Sequence, residues 1–190
     1  NGIPQARYVA LRAHEVGPAT PARVVEELGL PVFVKPANMG SSVGVTKAKT
    51  VEAVRDAIGI ALSYDEWIVV EEAVVGREIV PGAEFYDYAD KYVEDGSQAL
   101  VPAPLTPAQT AEVQALALQS FTALRCEGLS RVDFFFEEGG RGFLLNEINT
   151  MPGFTPTSMF PRMWAASGVD YPSLVDRLIR LALRRDTGLR

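Results

Sequence analysis

Cysteine and histidine are almost absent from this sequence of 190 residues, which contains one of each, Cys126 and His14. A single cysteine excludes a disulfide within the chain. One cysteine and one histidine also cannot supply the Cys/His ligand set of a structural zinc site. The chemistry of this chain therefore falls to carboxylates, lysines and arginines.

Positive charge and long apolar runs are scarce as well. The chain has 18 Lys and Arg against 24 Asp and Glu, a formal net charge of -6. Nucleic-acid surfaces need clustered cations, so we expect no nucleic-acid partner. No stretch approaches the roughly 20 apolar residues that span a bilayer, and no signal-peptide pattern opens the chain. We therefore expect no membrane partner and a cytoplasmic location.

Short apolar segments separated by turn residues predict a mixed α+β fold with enough apolar residues for a core. Helices are predicted over 20–29, 50–62, 106–124 and 172–185. Strands are predicted over 31–36, near 45, and over 67–71, 130–136 and 142–148, with a loop over 152–161. Residues 1–75 and 76–190 are predicted to form two lobes.

The last two strands form a predicted hairpin whose register follows from a turn centred on Gly140. This register places Asp133 opposite Glu147 and Arg131 opposite Asn149, with all four side chains on one face, since a slip of one residue would reverse the faces. The opposite face is expected to be apolar, with Val132, Phe134, Phe136, Ile148 and Leu144.

Two carboxylates directly across a strand pair repel each other unless a cation lies between them. Mg2+ takes oxygen ligands, commonly one or two carboxylates with nucleotide phosphates, and the Asn149 amide oxygen could add a ligand. The spacing thus favours a metal site at Asp133, Glu147 and Asn149. The alternative is a solvated sheet face on which Arg131 is the counterion of both carboxylates.

Lys35 ends an apolar strand just before the Gly/Ser loop 38–44. An ammonium in that position is costly unless an anion meets it, and a phosphate is a suitable anion. The backbone N–H groups of the loop, with the Ser41 and Ser42 hydroxyls, could surround a terminal phosphate. The loop lacks the Lys-Ser or Lys-Thr of a P-loop, and a plain turn is the alternative.

Two further segments leave two interpretations open. Glu71 and Glu72 end a predicted strand, where they are either an exposed strand end or a hinge that binds adenine or ribose. Lys91 and Tyr92 follow the aromatic run 85–88, which is either a lid or core packing.

Several motifs together resemble the D-alanine:D-alanine ligases. They are Phe33-Val34-Lys35-Pro36, Gly40-Ser41-Ser42-Val43-Gly44, Phe85-Tyr86-Asp87-Tyr88, Arg131-Val132-Asp133 and Asn146-Glu147-Ile148-Asn149-Thr150-Met151-Pro152-Gly153. They occur in the order of the family, and the resemblance runs over nearly the whole chain. It implies an ATP-grasp fold, in which two lobes hold ATP between their sheets.

The resemblance also implies an enzyme. ATP would phosphorylate the carboxylate of one D-alanine, and the amine of a second would attack the acyl phosphate to give D-alanyl-D-alanine for peptidoglycan. It implies ATP with two Mg2+ ions, for which Mn2+ could substitute, and a homodimer. The alternatives are a D-alanine:D-serine or D-alanine:D-lactate ligase, or a nucleotide-binding module without catalysis.

Site residues are carried over from the family one by one. Asp133, Glu147 and Asn149 resemble metal ligands, and Arg131 resembles the arginine that steadies the acyl phosphate. The residues that resemble ATP-binding groups are Lys35, Ser41, Ser42, Glu71, Glu72, Ala73, Val74, Glu78 and Lys91. Ser41 and Tyr92 resemble a pair that joins the phosphate loop to a lid over 82–104. Gly153 and Ser158 resemble groups around the intermediate and the second D-alanine. Tyr92 favours a D-alanine acceptor over D-lactate.

The chain departs from the family pattern in two ways. The N-terminal substrate domain and the first phosphate-binding lysine are absent, so the chain alone is expected to bind ATP weakly and catalyse poorly. The stretch between Glu78 and Phe85 is also short by two strands.

Overall fold

The computed structural model describes residues 1–40, 42–80, 86–88, 99–100, 102–155 and 158–185. The chain divides into two compact units, Ala6–Val75 as one, and Asn1–Gln5 with Gly76–Arg190 as the other. The predicted lobes also met after residue 75, but they assigned the first five residues to the first lobe. The assignment of each unit to a lobe of the ligases stays a prediction.

Among the described residues, the unit Ala6–Val75 is a four-stranded antiparallel sheet with two α-helices and one short 3-10 helix, Ala13–Glu15. Its elements are β1 (Tyr8–Arg12), α1 (Thr20–Leu28), β2 (Val32–Pro36), β3 (Thr46–Ala48), α2 (Val51–Leu62) and β4 (Trp67–Glu72). The strand order is β1-β4-β2-β3, so β4, the last strand of this unit along the chain, lies between β1 and β2. Each predicted helix and strand of this region is present.

Alternation along the strands separates the two faces of this sheet. Val32 and Val34 of β2 are fully buried together with Val54 of α2, in a core that also contains Val24 of α1. Lys35 and Phe33 point to the other face of the sheet, because successive side chains of a strand alternate. Thr50 caps α2 by accepting a hydrogen bond from the Ala53 N–H at 3.2 Å, as predicted.

In the described part of the second unit there are a five-stranded antiparallel sheet and three helices. Its elements are β5 (Arg77–Val80), β6 (Tyr86–Tyr88), β7 (Ala99–Leu100), α3 (Pro107–Ala123), β8 (Arg131–Glu137), β9 (Gly142–Asn149), α4 (Met159–Ala166) and α5 (Tyr171–Arg184). Among the described residues the strand order is β7-β6-β5-β8-β9. Thr106 and Gln109 form the predicted capping box of α3, with hydrogen bonds of 3.3 and 2.8 Å.

Two apolar clusters support this unit. One lies between α3 and the β8–β9 hairpin and includes Val113, Phe134 and Phe143. The other joins α4 and α5 through Met163 and Leu174. Helix α4 was not predicted, because the Pro-rich segment 152–161 was interpreted as a loop. Pro161 lies in the first turn of this helix, where a missing N–H costs little because it has no partner within the helix.

A bulge in β9 changes part of the predicted hairpin. Asp133 pairs with Glu147 but Phe134 pairs with Leu145, so Asn146 is the extra residue. Phe143 and Leu145 therefore join the apolar cluster. Leu144 pairs with Phe135 on the face of Asp133, so its predicted place on the apolar face is wrong.

No helix in the described parts of the chain is long and apolar enough to cross a membrane.

Candidate functional site

Lys35 lies on the sheet face opposite the core of the first unit and forms an ion pair with Glu71. The two strands place Phe33 opposite Glu71 and Lys35 opposite Val69, so all of these residues share that face. Lys35 Nζ is 2.7 Å from Glu71 Oε1, and the two side chains are 28% and 21% exposed. The anion that meets this ammonium in the structure is thus Glu71. The predicted phosphate contact stays a prediction.

The loop after Lys35 is anchored at its base. The Asn38 backbone N–H and side-chain amide both donate to Asp65 Oδ2 at 2.8 Å. The Trp67 N–H donates to the same carboxylate, and these hydrogen bonds lower the pKa of Asp65. Asp65 was missed in the sequence, although its place in a helix-to-strand turn is typical of aspartate.

Gly44 closes the loop in a conformation that favours glycine. Its φ is 72°, and an added Cβ would lie 2.8 Å from Pro36 and 2.8 Å from Tyr64. Ser42 also has a positive φ of 60°. Ser41, predicted to contact phosphate, lies outside the described residues.

Two backbone hydrogen bonds fix the predicted adenine segment, residues 71–74, where it extends beyond the end of β4. The Glu72 N–H donates to the Arg7 carbonyl, and the Ala73 N–H donates to the Pro31 carbonyl, both at 3.0 Å. Glu71 faces Lys35, while Val74 follows in irregular structure. The start of the segment is therefore bound to the residues that directly precede β1 and β2.

In the second unit, the predicted register around the acidic residues is confirmed. Asp133 pairs with Glu147, and Arg131 pairs with Asn149. The bulge begins after Asp133, so it leaves these two pairs on one face. The strand ends thus collect two carboxylates, one guanidinium and one carboxamide.

Arg131 lies between the two carboxylates. Its Nη2 atom is 2.8 Å from Asp133 Oδ2 and 2.9 Å from Glu147 Oε1, and Nε is 2.9 Å from Asp133 Oδ1. Both carboxylate oxygens therefore converge on one positive group. This geometry agrees with the interpretation that Arg131 is the counterion of both carboxylates. A metal site at the same oxygens stays a prediction.

Asp133 carries the strongest electrostatic perturbation of this face. Its side chain is 3% exposed. Burial raises its pKa from 3.8 to about 6, against the lowering effect of Arg131, and the negative charge of Glu147 adds to the rise. The raised pKa shows that Arg131 does not fully offset the cost of burying this carboxylate beside Glu147.

This face fits a magnesium ion by the chemistry of its donors. The oxygens of Asp133 and Glu147 already point at a common cationic group, and Asn149 lies two residues beyond Glu147 on the same face. Asn149 Oδ1 accepts the Met151 N–H at 3.0 Å and keeps a second lone pair. Among the described residues no group of three or more His, Cys, Asp or Glu is arranged to hold a metal ion by itself. Nucleotide phosphates would therefore complete a magnesium site on this face.

Gly153 and Ser158 lie next to each other beyond β9. The Ser158 hydroxyl oxygen accepts the Thr155 N–H at 3.0 Å, and a Cβ added at Gly153 would lie 3.1 Å from that oxygen. The two residues predicted to surround the second substrate thus form one small polar turn.

Three other predicted positions are described incompletely or not at all. The backbone of Glu78 lies in β5, opposite Phe135. Lys91 and Tyr92 lie outside the described residues, as does most of the predicted lid over 82–104.

Comparison with known proteins agrees with these motifs. The family model for the D-ala D-ala ligase C-terminus matches residues 1–82 and residues 77–180. This chain belongs to that family. A D-alanine–D-alanine ligase of Streptomyces griseus is 47% identical over 216 residues, covering 100% of this chain and 55% of the relative. The chain spans about half the length of the curated relatives that it matches.

Solved structures of the family share the fold. The D-alanine–D-alanine ligase of Coxiella burnetii has a TM-score of 0.79 and 32% identity, covering 96% of this chain and 53% of that one. The D-alanyl-alanine synthetase A of Vibrio cholerae has a TM-score of 0.81 and 29% identity, covering 96% and 61%. The predicted ATP-grasp fold is therefore confirmed, with its antiparallel sheets and flanking helices.

The family match is interrupted where the sequence pattern was short. The family model matches in two pieces whose ends overlap at residues 77–82. The alignment to the Streptomyces relative runs over 216 positions, whereas this chain has 190 residues. The relative therefore has positions without a counterpart here, and the interruption lies in the β5 region.

Proposed function

We propose that this chain is the ATP-binding and catalytic part of a ligase that joins two D-alanines through an acyl phosphate. The observation that carries the proposal is the pairing of Asp133 with Glu147 and of Arg131 with Asn149 on one face of the hairpin. The family match over nearly the whole chain supports the same reading. The product would be D-alanyl-D-alanine for peptidoglycan.

The proposed reaction has two chemical steps. A carboxylate oxygen of the first D-alanine attacks the γ-phosphorus of ATP, and ADP leaves. The amine of the second D-alanine then attacks the acyl carbon, loses a proton, and the tetrahedral intermediate expels inorganic phosphate. Little covalent chemistry is left to the protein, so catalysis consists of positioning and of stabilising the developing charge.

The residues of this chain have separate tasks in that scheme. Lys35, released from Glu71, would pair with an ATP phosphate as a point charge. Arg131 would turn from its carboxylates to the acyl phosphate and the tetrahedral oxyanion, for which a planar guanidinium is suited. Asp133, Glu147 and Asn149 would hold Mg2+, or Mn2+ in its place. With two such ions bound, their positive charge would offset the negative charge of the transferred phosphoryl group.

The remaining predicted residues take the nucleotide, the loop and the acceptor. The nucleotide contacts are Ser42, Glu71, Glu72, Ala73, Val74, Glu78 and Lys91. Ser41 and Tyr92 would link the phosphate loop to the lid. Gly153 and Ser158 would contact the intermediate and the second D-alanine. A homodimer in the cytoplasm belongs to the same proposal.

An acceptor experiment tests the reaction class. The full-length protein is incubated with Mg-ATP and D-alanine, alone or with D-serine or D-lactate, and the products are identified by mass. D-alanyl-D-alanine with stoichiometric phosphate and ADP is expected. A depsipeptide or a mixed dipeptide in preference would replace the acceptor assignment. ATP binding without any condensation product would mean a nucleotide-binding module.

A further inference from the structure

Arg7 connects three parts of the first unit, although it lies just before β1 and matches none of the motifs. Its guanidinium donates from Nε to Glu72 Oε2 at 2.9 Å, from Nη1 to the Glu27 carbonyl at 3.2 Å and from Nη2 to the Leu28 carbonyl at 3.1 Å. The guanidinium thus joins the end of α1 to the end of β4. One side chain satisfies three acceptors on two elements.

The backbone of Arg7 meets the same glutamate. The Arg7 N–H donates to Glu72 Oε1 at 2.8 Å, and the Glu72 N–H donates to the Arg7 carbonyl at 3.0 Å. The Glu72 side chain is 12% exposed, whereas that of Arg7 is 61% exposed. The carboxylate therefore binds both the backbone and the side chain of one residue, which fixes its position.

The acceptors on α1 favour a cation at this place. Glu27 and Leu28 are the last residues of the helix, where carbonyl groups lack partners within the helix and the helix dipole is negative. A planar guanidinium can reach two carbonyls and a carboxylate at fixed angles, whereas a lysine ammonium at the same charge cannot reproduce the fork. The contact thus depends on the shape of Arg7 and not on its charge alone.

We propose that Arg7 is a positioning residue for the nucleotide base, acting through Glu72 on the segment 71–74. The inference rests on the proposed function, in which this segment meets adenine. Glu72 begins the departure of the chain from β4, and Ala73 is tied only one residue later to Pro31. Arg7 therefore determines where the backbone that faces the base starts. In the proposed function the phosphates are met by Lys35 of β2, whose partner in the structure is Glu71.

Calorimetric titration of the full-length protein with two ligands tests this placement. ATP would contact both the segment 71–74 and the phosphate-binding residues of the protein. Inorganic tripolyphosphate would contact only the phosphate-binding residues. We expect Arg7→Lys to weaken ATP binding about tenfold, the loss that corresponds to one net hydrogen bond. Tripolyphosphate binding should not change. A general loosening of the unit would weaken both ligands, and an unchanged ATP affinity would refute the inference.

Two further variants complete the design. Arg180→Lys is the matched control, because Arg180 also forms an exposed ion pair, with Asp176 at 2.8 Å and a side chain 66% exposed. It should leave both affinities unchanged. In an E72Q background, Arg7→Lys should have little additional effect on ATP, because the two residues act together. A full additional loss would show that Arg7 acts by another route.

The same titration separates the inference from the proposed function. Absence of ATP binding by the unmodified full-length protein would refute the proposed function, and the inference with it. Normal ATP binding that Arg7→Lys leaves unchanged would refute the role of Arg7 alone. In the full-length protein, Arg7→Lys should raise KM for ATP about tenfold and leave KM for D-alanine unchanged.

Discussion

Replacing Asp133 with asparagine should stabilise the metal-free protein at neutral pH. The Asp133 carboxyl is buried beside one arginine and faces a second carboxylate, and its pKa is raised from 3.8 to about 6 in the folded state. The charged form is therefore disfavoured in the fold relative to the unfolded chain. Asparagine has nearly the same shape and no charge, so it removes that cost. Arg131 keeps Glu147 as a partner at 2.9 Å.

The sign and size follow from the two pKa values. A folded-state pKa above the unfolded value means that the folded state binds the proton more tightly. The contribution of this group to stability is thus fully present below pH 3.8 and is lost as the pH rises through about 6. A shift of about 2 units corresponds to about 3 kcal/mol, which is the upper limit of the effect. Lost hydrogen bonds to Arg131 reduce it.

Urea unfolding of the wild type and of Asp133→Asn between pH 4 and pH 8, without divalent metal, measures the difference. The two proteins should be similar in stability near pH 4, and the variant should gain up to about 3 kcal/mol by pH 8. Carboxyl groups remote from Asp133 titrate alike in both proteins and cancel. Added Mg2+ with nucleotide should stabilise the wild type and not the variant. A variant that is less stable at pH 8, or a difference independent of pH, would refute the reasoning.

Gly76→Ala should destabilise the second unit by about 2 kcal/mol or more, because its Cβ would lie 2.5 Å from the Phe136 carbonyl oxygen, which is backbone. Gly59→Ala is the control, because a Cβ at this position of α2 meets no other atom; it should stabilise the protein by about 0.5–1 kcal/mol. Equal effects of the two substitutions in thermal unfolding would contradict the close approach of Gly76 to Phe136. Thr106→Ala removes the cap of α3 and should cost about 1 kcal/mol in the same assay. A neutral result would mean that the capping box contributes nothing.

Local sequence signals accounted for those parts of the fold that depend on neighbouring residues. The caps at Thr50 and Thr106 were predicted because a side-chain oxygen near a free helix N–H acts within a few residues. The pairing of Asp133 with Glu147 agrees with the predicted register because of the bulge. Between the turn and the bulge, from Phe134 to Glu137, the strands pair one residue away from the prediction.

Other features depend on contacts that no local pattern reports. The bulge at Asn146 places Leu144 on the face of Asp133. The sequence did not predict this bulge, because an extra residue in one strand leaves no mark on the alternation of apolar residues nearby. The ion pair of Lys35 with Glu71, and that of Arg7 with Glu72, join residues far apart in the chain. Their partners could be identified only after the strand order β1-β4-β2-β3 was known.

Phosphate release from Mg-ATP by the full-length protein, with and without D-alanine, tests the central claim most directly. It is measured beside an Asp133→Asn, Glu147→Gln double variant whose fold is checked by circular dichroism. We predict that D-alanine stimulates release in the wild type and that the folded double variant shows no stimulation. D-alanine-dependent release that survives in the double variant would contradict the assignment of this face as the metal site. No stimulation by D-alanine in the wild type would contradict the ligase itself.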